Sequence, residues 1–87
     1  MKAKVKVIRR EAEKIAVRTP EIRLDAFLKL ANAVESGGQA KTEVQGGRVR
    51  VNGEVCLMRG KKLRAGDLVA FGGGRYQVAE GEARENE

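Results

Sequence analysis

The 87-residue chain contains no histidine, no tryptophan and a single cysteine, Cys56. Without a second thiol or any imidazole there is no intrachain disulfide, no Cys/His zinc site, no histidine general base and no Cys–His dyad. The carboxylates stand singly among Lys and Arg, without the paired spacing that glycosidic hydrolysis uses. These gaps exclude most hydrolytic chemistry and weigh against an enzyme; no metal and no other cofactor is expected. Cys56 reads as an inert, partly buried residue. Aromatics are also scarce, only Phe27, Phe71 and Tyr76. The core must therefore be a modest one of Val, Leu, Ile and Ala, and the ring platforms on which single-strand binders stack bases are missing. No run of about 18 apolar residues exists to span a membrane. The N-terminus alternates charge with small apolar residues and has no apolar signal region, so the cytoplasm is the expected location.

What is present is charge on a foldable background. With 41% hydrophobic and 34% charged residues, the chain has the composition of one small folded domain. Eighteen Lys and Arg face twelve Asp and Glu, a net +6. Residues 80–87 hold four Glu against Arg84, so that net −3 there leaves +9 on residues 1–79. A basic body with an acidic tip argues for a polyanionic partner. Nucleic acid is favoured over membrane, because no long amphipathic helix is available to lie in lipid.

Along the chain, Lys2, Lys4 and Lys6 alternate with Ala3, Val5 and Val7, the period of a strand with one wet face. The run Ile15–Val17 reads as the end of a helix begun near Arg9 or as a short strand, and the strand is favoured. Thr19-Pro20 interrupts either. From Leu24, apolar residues at 24, 27, 28, 31 and 34 predict a first helix with one buried face. Ser36-Gly37-Gly38-Gln39 has the capping-box pattern of a second, short helix. That helix turns Ala40 and Val44 inward and stops at Gly46-Gly47, where a left-handed cap is available. Arg48–Val51, Asn52-Gly53 and Glu54–Met58 predict a hairpin. Basic turns at Arg59–Lys62 and Arg64–Asp67 lead to a closing hairpin, Leu68–Phe71 and Arg75–Ala79, about a flexible Gly72–Gly74 tip. The tip is not a phosphate loop, since no Lys-Ser/Thr opens a helix after it. The last eight residues read as a frayed tail.

The residues suggest where an anion would sit. The start of the Ser36 helix offers unpaired N–H groups and the positive end of a dipole, and Gly37 and Gly38 let a phosphate come close. Lys41 lies one turn further in; Lys29, on the preceding helix, adds charge if the two helices pack side by side. Arg48 and Arg50 share one strand face, with Val49 and Val51 on the other, and two guanidiniums in a row suit phosphate forks. Each feature has a plainer reading: an ordinary cap, a solvated face of lysines, a turn needed by any hairpin. Asp25 reads as a helix-start or ion-pair residue.

The order of helix, tight turn, capped short helix, glycine stop, basic strand and Asn-Gly turn resembles the RNA-binding domain named after ribosomal small-subunit protein S-four, also called the αL motif. Arg23-Leu24-Asp25 with Phe27-Leu28 looks like its first helix, and Ser36 with Ala40-Lys41 like its second. Val49, Val51 and Asn52-Gly53 look like its strand and turn, Lys62-Leu63 with Gly66-Asp67 like its final turn. The stretches Leu28–Leu30, Ser36–Lys41 and Phe71–Val78 are similar to short stand-alone members. Many members place Arg or Lys directly after the second-helix serine; Gly37 and Gly38 stand there instead, so backbone N–H groups must substitute.

The resemblance implies an α+β domain with two helices packed on a small, mainly antiparallel sheet. It would span residues 14–79, with an extension at 1–13 and an acidic tail at 80–87. It also implies binding of structured RNA, of the ribosomal or transfer class and in that way the ribosome. No membrane or small-molecule partner is expected, and the expected state is a monomer. The candidate RNA-binding residues are Arg23, Lys29, Ser36, Gly37, Gly38, Lys41, Arg48, Arg50, Asn52, Gly53, Lys61 and Lys62. The rival reading is an adaptor that sets its basic face on an acidic protein.

Overall fold

A computed structural model describes residues 12–81. The alternating segment Lys2–Val7 and residues 82–87 lie outside the described residues. Asn52 and Gly53 take positive φ, 53° and 87°, the handedness that matches the twist of two paired strands. They join β3 (Arg50–Val51) to β4 (Glu54–Val55). The ladder is shorter than the sequence pattern predicts, although the Cys56 N–H still reaches the Val49 carbonyl at 3.0 Å. A second hairpin, β6 (Leu68–Phe71) to β7 (Gly74–Glu80), turns at Gly72 and Gly73, also with positive φ.

These strands and β1 (Glu13–Val17) form one sheet in the order β1-β7-β6-β3-β4. Its pairs are antiparallel except β1 with β7, which is parallel. The sheet is thus mixed: β1 and β7 come from opposite ends of the chain, so no short turn forces them antiparallel. The strand reading of Ile15–Val17 holds, and β1 begins at Glu13, inside the expected extension. Glu80 is the last residue of β7 and the Gly81 N–H binds the Val17 carbonyl, so regular structure continues into the expected tail. A separate two-stranded sheet pairs β2 (Ile22–Arg23) with β5 (Lys62–Leu63).

Two helices, α1 (Leu24–Leu30) and α2 (Gly37–Gln45), pack on each other. The spacing that predicts a helix through Val34 misplaces the end of α1. Asn32 adopts φ 62°, and the Asn32 and Ala33 N–H groups bind the carbonyls of Lys29 and Leu28, a Schellman closure. Val34 reaches the core from the link instead. α2 closes the same way around Gly47, φ 79°, with the Gly47 and Arg48 N–H groups on the Val44 and Glu43 carbonyls. Phe27, Leu28, Ala40 and Val44 meet Val51, Leu63, Val69 and Val78 in one buried cluster. At about 1.5–3 kcal/mol for each large side chain fully buried, this apolar core holds the sheet and helices together. No polar residue is buried among the described residues.

Candidate functional site

The start of α2 follows from its sequence. Ser36 has extended backbone, φ −152°, and its hydroxyl accepts the Gln39 N–H at 3.0 Å. Gln39 reaches back as the capping pattern predicts, but to the Glu35 N–H, at 2.8 Å, one residue before the cap. The first turn of a helix leaves N–H groups without intrahelical partners, and Gly37 and Gly38, which carry two of them, are exposed. A Cβ added at Gly37 would meet nothing within 4 Å, and at Gly38 only the Ser36 hydroxyl, at 3.8 Å. Lys41, next to buried Ala40, is exposed. Lys29, next to buried Leu28, is exposed in the last turn of α1, and only the short link 31–36 separates that turn from α2. Neither lysine forms an ion pair among the described residues.

The start of α1 is different. Its Leu24 and Asp25 N–H groups are taken by the carbonyls of Lys61 and Arg59, at 2.8 and 2.9 Å. Cations crowd there, but carboxylates hold most of them. Arg23 pairs with Asp25 at 3.2 Å, and Glu21 holds Arg64 at 2.8 Å and Lys62 at 3.9 Å. This offsets the like charges of Arg23 and Lys62, which face each other across β2 and β5. The hydrogen bond from Arg64 holds the Glu21 carboxyl below its ordinary value, its charge and that of Lys62 adding to the effect. Lys61 is exposed.

The hairpin residues also divide. Val49 and Val51 are buried while Arg48 and Arg50 are exposed, as the alternation predicts. The two guanidiniums nonetheless differ. Arg48 folds back onto the C-terminal end of α2, donating to the Glu43 carboxylate and the Thr42 carbonyl, where a cation complements the helix dipole. Arg50 makes only a long contact, 3.4 Å, to the Gly53 carbonyl. The Asn52 side chain is engaged internally: its amide donates to Asp67 at 3.2 Å and its oxygen accepts the Leu68 N–H at 3.0 Å. Asn52 thus pins the hairpin turn to the 65–68 turn, and Gly53 is open to solvent.

Of the twelve candidates, Ser36, Gly37, Gly38 and Lys41 lie on the cap and first turns of α2, and Lys29 in the last turn of α1, the helix packed on it. Arg23, Lys61 and Lys62 stand around the start of α1, and Arg48, Arg50, Asn52 and Gly53 on the hairpin. Sequence reasoning passed over Arg59, Arg64 and Arg75, all exposed. For Arg75 the available signal was its place directly after the Gly72–Gly74 tip, on a strand with a wet face. Among the described residues no cluster of three metal-ligating groups occurs, and no helix is long and apolar enough to cross a membrane.

This arrangement is that of a known class. Residues 15–79 match the family model of the S4 domain, the S-four type that the sequence resembles, and the chain belongs to that family. A solution structure of YbcJ from Escherichia coli superposes with a TM-score of 0.64 at 31% identity, covering 88% of this chain and 99% of that one; its title describes an αL motif involved in RNA binding. YbcJ of strain K12 is 41% identical over 59 residues, 68% of this chain and 84% of YbcJ. A Bacillus subtilis protein named "Probable ribosome maturation protein RlbA" is 44% identical over 68 residues, 77% of this chain and 96% of that protein.

Proposed function

We propose that this protein binds structured RNA through the sugar-phosphate backbone, with a phosphate seated on the open start of α2 between Lys29 and Lys41. The observation that carries this is at Gly37 and Gly38: N–H groups at the positive end of a helix, no side chain in front of them, Lys41 one turn further in, and neither Lys41 nor Lys29 held by a carboxylate among the described residues. An anion there gains both the dipole and directed hydrogen bonds. Membership of the S4 domain family, the αL description of YbcJ and the ribosome-maturation name of RlbA support the reading and favour ribosomal RNA as the class. The major groove of A-form RNA is too narrow for side chains, so a small basic body reads the shape of a stem, loop or junction. The binding unit is the domain expected at residues 14–79, which the paired strands extend to Glu13 and Glu80, with the extension before it and the acidic tail after it. It acts as a cytoplasmic monomeric binding module, without catalysis. Arg23, Arg48, Arg50, Gly53, Lys61 and Lys62 lie outside that seat and take part through the positive field that draws RNA to the domain, and Asn52 holds the hairpin in place.

The test is affinity against salt, measured by fluorescence anisotropy on a structured RNA. Each phosphate neutralised contributes about 0.7–0.9 to the log-log slope, so about three to five contacts give a slope near −2 to −5. A salt-independent affinity contradicts the proposal, and equal affinity for poly-glutamate of matched charge would favour an acidic protein partner.

A further inference from the structure

The outer face of the sheet carries a second basic feature that the helix start does not use. In the register, Arg50 on β3 lies opposite Ala70 on β6, and Ala70 opposite Arg75 on β7. Residues directly opposite project to the same face, so Arg50 and Arg75 flank one alanine in a single cross-strand row. Their Cα atoms lie two strand spacings apart, roughly 9–10 Å. Both side chains are exposed, and neither forms an ion pair among the described residues. A groove of about 550 Å³ runs along the row over Ala70 and Leu68. A second groove continues it past Arg48 to the Gly72–Gly74 turn. No Asp or Glu lines either one.

Arg50 and Arg75 have no carboxylate beside them among the described residues, unlike Arg64 and Lys62, which share Glu21, and Arg48, which Glu43 holds. In the row the spacer is the smallest side chain with a Cβ, and the turn at the groove's end has none: a Cβ added at Gly72 or Gly73 would meet nothing within 4 Å. The floor is therefore flat, the end is open, and two guanidinium forks stand over it.

We infer that the Arg50–Ala70–Arg75 row is a second binding site for phosphodiester backbone, gripping a strand of the RNA that runs on from the segment seated at α2. The inference rests on the proposed RNA binding, and charge complementarity selects the occupant. Guanidinium forks match phosphate oxygens bidentately, and the Arg50–Ala70–Arg75 row itself holds no aromatic platform of the kind on which single-strand binders stack bases.

The experiment compares Arg75→Gln and Lys41→Glu with the unaltered chain, by anisotropy against salt, on one structured RNA and on poly-glutamate, with melting temperature recorded for each protein. Arg75→Gln is expected to weaken RNA binding about tenfold or more, as for loss of one charge-assisted contact. Its salt slope should become less negative by about 0.7–0.9, and its melting temperature should hold, since an exposed side chain without an ion pair is changed. If Lys41→Glu loses affinity while Arg75→Gln keeps both affinity and slope, the sheet site is overturned and the helix start stands. If neither change lowers a salt-dependent affinity, the proposed function itself falls. Equal losses on poly-glutamate and RNA would overturn the phosphodiester assignment in favour of an acidic protein.

Discussion

Helix α1 begins at Leu24 beside Arg23 and Asp25, helix α2 at Gly37 beside Ser36 and Gly38, and only the second start is left open. At α1 the first N–H groups are taken by carbonyls of Arg59 and Lys61, and the surrounding cations are held by Asp25 and Glu21. At α2 the serine satisfies one N–H and the glycines leave the rest accessible. The same backbone physics thus yields a structural joint in one place and, in the other, an open set of donors, the proposed anion site. A helix dipole or a count of nearby lysines does not separate the two; what separates them is whether the chain has already spent the donors and the charges.

The closed joint depends on packing, which gives the largest expected effect. Leu63 on β5 is fully buried, two residues after Lys61, whose carbonyl accepts the Leu24 N–H at the start of α1. Leu63→Ala should cost about 2–5 kcal/mol, read as a lower midpoint in urea unfolding. A cost below about 1 kcal/mol would mean that the joint is not packed as described.

The comparison sharpens with paired charge removals. Lys41→Gln at the open start should weaken RNA binding about threefold or more, since a phosphate contact is lost. Arg23→Gln at the closed start, where the guanidinium already faces Asp25, should change affinity less than about twofold, in keeping with the small worth of exposed ion pairs. Equal losses in anisotropy titrations would show a diffuse positive field rather than a site.

The smallest effect is on pH. Glu21 has its folded pKa depressed by Arg64, so its contribution to stability is present above the unfolded carboxylate value and is lost as pH falls through the folded one. Melting temperatures of the unaltered chain should exceed those of Glu21→Gln slightly at neutral pH and converge with them in acid. A gap that widens in acid would reverse the sign of the pairing.

Local signals were the legible ones. Asn52-Gly53, Ser36 with Gln39, and Gly47 each act within five residues, and each forms the turn or cap that its chemistry predicts. The end of α1 was hidden because apolar spacing ran on to Val34 while Asn32, which tolerates a positive φ, turned the chain away. Long-range features were hidden for a different reason. The carbonyl caps on α1, the Asn52–Asp67 bond, the Glu21–Arg64 pair and the Arg50–Ala70–Arg75 row join positions 15 or more residues apart, apart from the adjacent β6–β7 step. Only strand register reveals them. For the candidate site this means that basic residues could be named from sequence, but not sorted into those already neutralised and those left free. Arg48 and Arg50, alike in the alternation, differ because only Arg48 lies within reach of Glu43.

The central claim is that a phosphate approaches the backbone at Gly38, and Gly38→Val tests it most directly. Gly38 has no positive φ, and its Cβ position is clear apart from ordinary contact with the Ser36 hydroxyl. Valine is no worse than glycine within a helix by some tenths of a kcal/mol, so the protein should fold with a melting temperature equal to or slightly above that of the unaltered chain. The branched side chain would stand where the anion enters, and loss of a charge-assisted contact of about 1.5–3 kcal/mol lowers affinity at least about tenfold. Thermal unfolding by circular dichroism and RNA affinity by anisotropy are to be measured on one preparation. A folded Gly38→Val protein with affinity down tenfold is the expected result; a folded protein with unchanged affinity would show that Ser36-Gly37-Gly38 only caps a helix.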